Sequence, residues 1–126
     1  MEHVYFFDGN QKRISWAIRT DQSLVEQSRD HPETYLDKVT NAQAKYIALH
    51  AGIFWCIGRF IIKNGDAVQV MLDSRSMYES LVENKGSTDS LIYSKVNFLN
   101  QLIDQRKLNV KYQIIEHEKN IAARLL

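Results

Sequence analysis

The sequence predicts an α/β domain built on a mixed sheet, and three observations predict it. Val4 to Phe7 is a short apolar run of β-formers, the pattern of a buried central strand. Ile14, Trp16 and Ile18 then alternate with polar Ser15 and Arg19, a period of two that marks a half-exposed strand. Finally, a long helical stretch from Asn41 to Ile62 runs through the short turn Asn64-Gly65-Asp66 into the strand Val68 to Leu72. Helix, short turn and parallel strand make a crossover unit.

The remaining elements follow in order. Leu24 to Arg29 reads as a third strand, stopped at His31-Pro32-Glu33 because proline lacks the amide donor a ladder needs. The long helix starts at Thr40 or Asn41, either suited to its N-cap. Its later part (Ile53, Phe54, Trp55, Cys56, Ile57) is apolar on nearly every side, which places it deep against the sheet. His50, Trp55 and Cys56 then belong to the core or its margin, whereas Tyr35, Leu36 and Val39 offer an apolar contact surface. Ser74 to Asn84 reads as a helix with Met77, Leu81 and Val82 on one side, ended by Lys85-Gly86-Ser87-Thr88. Asp89 to Arg106 is a second amphipathic helix, Asn109 to Ile115 a last strand, and Lys119 to Leu126 the opening of a final helix. The succession is β-β-β-α-β-α-α-β-α.

Composition narrows the function. With 126 residues, 44% hydrophobic and 25% charged, the chain fits one domain spanning 1–126 that buries roughly two thirds of its unfolded surface. A net charge of +1 makes no global demand for a polyanion, so any nucleic-acid role must rest on local patches. The single cysteine, Cys56, excludes an intrachain disulfide and fits a reducing compartment. No run approaches the roughly 18 apolar residues of a membrane-spanning helix, and Met1-Glu2-His3-Val4-Tyr5 lacks a signal peptide's basic start. The expected location is cytoplasmic. Phosphate-cradling Gly-x-x-x-x-Gly-Lys-Ser/Thr loops and Cys/His metal spacings are absent.

Four segments carry the chemistry. Asp8-Gly9 ends the first strand, Thr40-Asn41-Ala42-Gln43-Ala44-Lys45 opens the long helix, Asp73-Ser74 ends the fourth strand, and Asn120-Ile121-Ala122-Ala123-Arg124 lies near the end. Each alone has a plain structural reading, since an Asp after a strand often makes a turn or a helix cap. In this order, however, they resemble the catalytic skeleton of the ribonuclease H family, in its form without a basic protrusion. That family's pattern is strand-Asp-Gly, Thr-Asn-Asn-x-x-Glu on a helix, strand-Asp-Ser, then Asn-x-x-x-Asp. The resemblance covers nearly the whole chain and implies a five-stranded mixed sheet flanked by helices.

The resemblance also implies a reaction: hydrolysis of the RNA strand of an RNA/DNA hybrid by two Mg²⁺ ions held in four carboxylates. Here the four matching positions are Asp8, Lys45, Asp73 and Arg124, whose formal charges sum to zero. Mg²⁺ requires oxygen ligands, and an ammonium beside it repels it by several kcal/mol at an effective dielectric near 20. Lys45 and Arg124 are therefore expected to replace the metals, neutralising Asp8 and Asp73. The favoured function is a degenerate ribonuclease H with no metal or cofactor, retaining at most weak binding to RNA/DNA hybrid or related duplexes. Thr40 and Asn41 match family positions that contact the hybrid, Ala42 replaces a further Asn, and Asn10, Lys12 and Arg13 form a basic polar tip beside the expected duplex path. His117 lies in a loop where some family members carry a histidine that aids product release. Two alternatives stay open. One is an active Mg²⁺-dependent ribonuclease H using Asp8 and Asp73 with rearranged acids from Glu116, Glu118, Glu33 or Asp37. The other is a protein-interaction or dimerisation scaffold without nucleic acid.

Overall fold

A computed structural model describes residues 1–83, 85 and 87–126. The five strands are β1 (Glu2–Gly9), β2 (Arg13–Thr20), β3 (Ser23–Asp30), β4 (Ala67–Leu72) and β5 (Asn109–Ile114). They form one mixed sheet in the order β3-β2-β1-β4-β5. Strands β1 to β3 are antiparallel neighbours, whereas β4 runs parallel to both β1 and β5. The helices are α1 (Asn41–Gly58), α2 (Arg75–Val82) and α3 (Ser90–Arg106).

The pleat sends alternate side chains of β1 to opposite faces. Tyr5 and Phe7, with Trp16, Ile18, Val68, Val70 and Leu72, belong to the large core cluster under α1 and α3. Phe6 lies on the other face in a smaller cluster with Ala17 and Ala122. Tyr5 stays in the core without a polar penalty because its hydroxyl donates to the Ala48 carbonyl at 2.7 Å.

Helix α1 begins with a complete capping box. Thr40 accepts from the Gln43 amide, and the Gln43 side chain accepts from the Thr40 amide. Its end differs from expectation. The helix stops at Gly58 rather than Ile62, because Phe60 takes a left-handed φ of 62° and the amides of Ile61 and Ile62 both turn back to the Cys56 carbonyl. Ile62 is buried in that turn, so its apolar character reflects core packing, not helix. Of the expected surface of Tyr35, Leu36 and Val39, Leu36 is exposed and Tyr35 half-buried, whereas Val39 is only 5% exposed and belongs to the core.

The expected final helix is the larger departure. His117–Lys119 and Ala123–Leu125 form two short 3₁₀ turns instead. Asn120 separates them, with its backbone extended (φ −81°, ψ 98°) and its side chain accepting from the Ala122 amide. Such local side-chain bonding competes with the helix. The Asn84 helix end and the Gly86 break lie outside the described residues.

Gly9 sets the distance between β1 and α1. A Cβ at this position would lie 2.6 Å from the Ala44 carbonyl oxygen, closer than the helix backbone permits. Gly9→Ala is expected to force the strand end from the helix at a cost of about 1–3 kcal/mol, read as a lower denaturation midpoint with unchanged m-value.

Candidate functional site

The parallel pairing of β1 and β4 brings the ends of two central strands side by side, and each end carries an aspartate. Asp8 is the penultimate residue of β1, and Asp73 follows β4 directly. Capping of α2 falls to Ser74, whose hydroxyl accepts from the Met77 amide, so the Asp73 carboxylate is left for the site. Both carboxylates are largely removed from solvent, with side-chain exposures of 5% and 4%.

Lys45 projects from the first turns of α1 between them. Its Nζ lies 3.0 Å from Asp73 Oδ1 and 3.8 Å from Asp8 Oδ1, so one ammonium faces both carboxylates. Asp73 gathers two more donors. His117 Nδ1 meets Asp73 Oδ2 at 2.7 Å, and Asn120 Nδ2 donates to the same oxygen at 2.9 Å. The Asn120 amide also donates to the Phe7 carbonyl of β1 at 2.9 Å, tying the C-terminal segment to the strand that carries Asp8. Asp8 has a poorer supply: the Gly9 amide at 2.8 Å and the more distant Lys45.

The two acids therefore differ in proton affinity. Burial pushes the Asp8 carboxyl up, and the Gly9 amide and Lys45 offset this only in part. Burial acts on Asp73 in the same direction, but hydrogen bonds from Asn120, His117 and Lys45 outweigh it and hold Asp73 below the ordinary carboxylate range.

Arg124 behaves differently from Lys45. It is exposed on the second 3₁₀ turn and makes no ion pair among the described residues. The departure follows from the missing final helix, and the donors expected from Arg124 are supplied to Asp73 by His117 and Asn120. Among the described residues, Asp8, Asp73 and His117 are the one group whose ligand atoms lie within 4.8 Å of one another. Glu33, Asp37, Glu116 and Glu118 stay outside it. These residues do not fit a two-Mg²⁺ centre, because two carboxylates and an imidazole are too few oxygen donors and Lys45 occupies the space between the acids.

The hairpin tip is bound up in its own loop. Asn10 Oδ1 accepts from the Lys12 and Arg13 amides, Lys12 pairs with Asp37 at 2.7 Å and Arg13 with Asp30 at 3.4 Å. Thr40 spends its hydroxyl on the helix cap, and Asn41 is exposed. Gln43 was not singled out from the sequence, yet its Nε2 donates to Asp89 Oδ2 at 2.8 Å and fastens α1 to the cap of α3. The Thr40-x-x-Gln43 capping signature is the signal that points to it.

No protein-family profile matches the sequence, and no curated protein does. Solved structures do match. Ribonuclease H1 from the halophilic archaeon Halobacterium salinarum NRC-1 superimposes with a TM-score of 0.81, covering 99% of this chain and 94% of that one at 18% identity. The chain has the ribonuclease H fold. LC11-RNase H1, isolated from compost by a metagenomic approach, matches equally well, with a TM-score of 0.81, 21% identity and coverage of 98% of this chain and 91% of that one. The same LC11 enzyme in complex with RNA/DNA hybrid gives a TM-score of 0.71 at 18% identity over 98% of this chain and 91% of that one. Among the described residues, no helix of this ribonuclease H-like chain is long and apolar enough to cross a membrane.

Proposed function

We propose that this ribonuclease H-like domain is a degenerate nuclease that binds RNA/DNA hybrid or a related duplex weakly and does not cleave it. The observation that carries the reading is Lys45, whose ammonium sits 3.0 Å and 3.8 Å from the two aspartates at the strand ends. A divalent cation entering there must displace that ammonium or endure its repulsion. Binding is the part that can outlast catalysis. The N-terminus of α1 carries the partial positive charge and free amides that favour phosphate, with exposed Asn41 beside it. The hybrid-bound LC11 enzyme, which shares the fold, supports a hybrid as the ligand to try first.

A second reading rests on the Asp8–Asp73–His117 group, which becomes a ligand set if Lys45 swings away. Cleavage separates the two. The purified protein is expected to show no Mg²⁺- or Mn²⁺-dependent cleavage of a labelled RNA/DNA hybrid, and to bind it with an affinity that falls steeply with salt as phosphate counterions are released. Turnover that disappears in Asp8→Asn establishes the active reading instead. Absence of salt-dependent hybrid binding removes the duplex-binding role and favours the scaffold.

A further inference from the structure

A groove of about 770 Å³ opens between the C-terminal half of α1, the loop after β3 and the face of β2 and β3, within the size range of ligand sites. Its walls are aromatic: the half-buried Tyr35 and Trp55 and the exposed Phe54 line it together with the nearly buried Trp16, and Phe54 is 60% exposed at the rim. Three cations share the lining, and each lies over a ring: Arg29 over Trp16 at 5.7 Å, Arg59 over Trp55 at 5.2 Å and Lys95 over Tyr35 at 6.0 Å. Among the described residues none of the three forms an ion pair, whereas the one acid of the lining, Asp30, is held by Arg13. The groove is thus a cationic one with flat walls.

We propose that this groove binds single-stranded nucleic acid, one base stacking between the aromatic walls and its phosphates meeting Arg29, Arg59 and Lys95. Rings interleaved with cations are the combination that holds an unpaired strand: every base has a face to stack, and every nucleotide carries a charge. Bases in a duplex are covered by their neighbours and closed to such a site. An acidic peptide satisfies the cations but leaves the aromatic walls without flat partners. This site is independent of the duplex-binding reading, since Asn41 and Lys45 lie at the other end of α1 and line no part of the groove.

Both tryptophans of the chain line the groove, so their emission reports directly on a guest. Titration of the whole protein with a short oligothymidylate is expected to give saturable quenching that weakens with salt. The double variant Phe54→Ala, Arg59→Ala should bind about ten-fold or more weakly. Both positions are exposed, so its melting temperature should be unchanged. Asn41→Ala should leave the quenching as it is, and the groove variant should leave hybrid-duplex binding as it is, so either reading can fail alone. Three results overturn the proposal: no quenching at any salt concentration, an equal affinity in the groove variant, or quenching by an acidic aromatic peptide but not by the oligonucleotide.

Discussion

Lys45→Glu is expected to give a protein whose melting temperature climbs with Mg²⁺, a response the unmodified protein is expected not to show. The substitution takes the cluster of Asp8, Asp73 and residue 45 from one net negative charge to three. Without metal, three crowded carboxylates with little solvent are a severe load, and losing one partner of a buried pair costs about 3–5 kcal/mol. Residual exposure of Lys45, at 21%, places the expected cost at the lower end of that range. Metal then reverses the loss: a ligand at one hundred times its Kd restores about 2.7 kcal/mol by mass action. Lys45→Met is the control, since it removes the cation and supplies no ligand. It should be destabilised and respond far less to Mg²⁺. Its pH dependence has a defined sign. Asp8 has a raised pKa, so the stability linked to its protonated form is lost as pH rises through that value. Lys45 is one of the groups that offset the rise, so Lys45→Met should push Asp8 higher still and regain stability as pH falls through that raised value. Asp73, with its depressed pKa, acts oppositely and loses stability as pH falls through it. Thermal melts across pH, with and without Mg²⁺, check all of these outcomes.

Asn120→Ala should be the second large effect. This one buried amide donates to Asp73 and to the Phe7 carbonyl and accepts from the Ala122 amide. Truncation leaves the Phe7 carbonyl and the Ala122 amide without those partners in a buried place, at about 1–3 kcal/mol for each group left unsatisfied. Asn120 is also the leading group that holds Asp73 low, so the Asp73 pKa should rise. Denaturant titration reads the first effect and carboxyl carbon chemical shifts against pH read the second. A variant with wild-type stability and an unmoved Asp73 contradicts the role assigned to Asn120.

The parts legible in the sequence are those that local pattern controls. Alternation in β2, the apolar run of β1 and the crossover from α1 to β4 gave their strands within a residue or two, and the two aspartates followed because each sits at a strand end. The convergence of Lys45 on both acids follows from where α1 starts, which its capping residues announce. Tertiary packing decided the rest. Ile61 and Ile62 continue the apolar periodicity of α1, yet the chain has already turned at Phe60. Arg124 lies at the right spacing from Asn120 for a helical partner. Asn120 instead uses its side chain against Phe7 and Ala122 and breaks the helix that the spacing assumes. The aromatic groove was invisible for a related reason: its rings come from β2, the loop after β3 and α1, and only the fold brings them together.

The central claim is that the Lys45 ammonium holds the space between Asp8 and Asp73 that a metal ion needs. Manganese titration of the unmodified protein, followed by carboxyl carbon resonances, tests it most directly, because paramagnetic Mn²⁺ broadens the signals of groups that bind it. The Asp8 and Asp73 carboxylates should broaden no more than exposed acids such as Glu33. Selective broadening of Asp8 and Asp73 together, with the His117 ring, at submillimolar Mn²⁺ would contradict the claim and place a metal where the lysine was assigned.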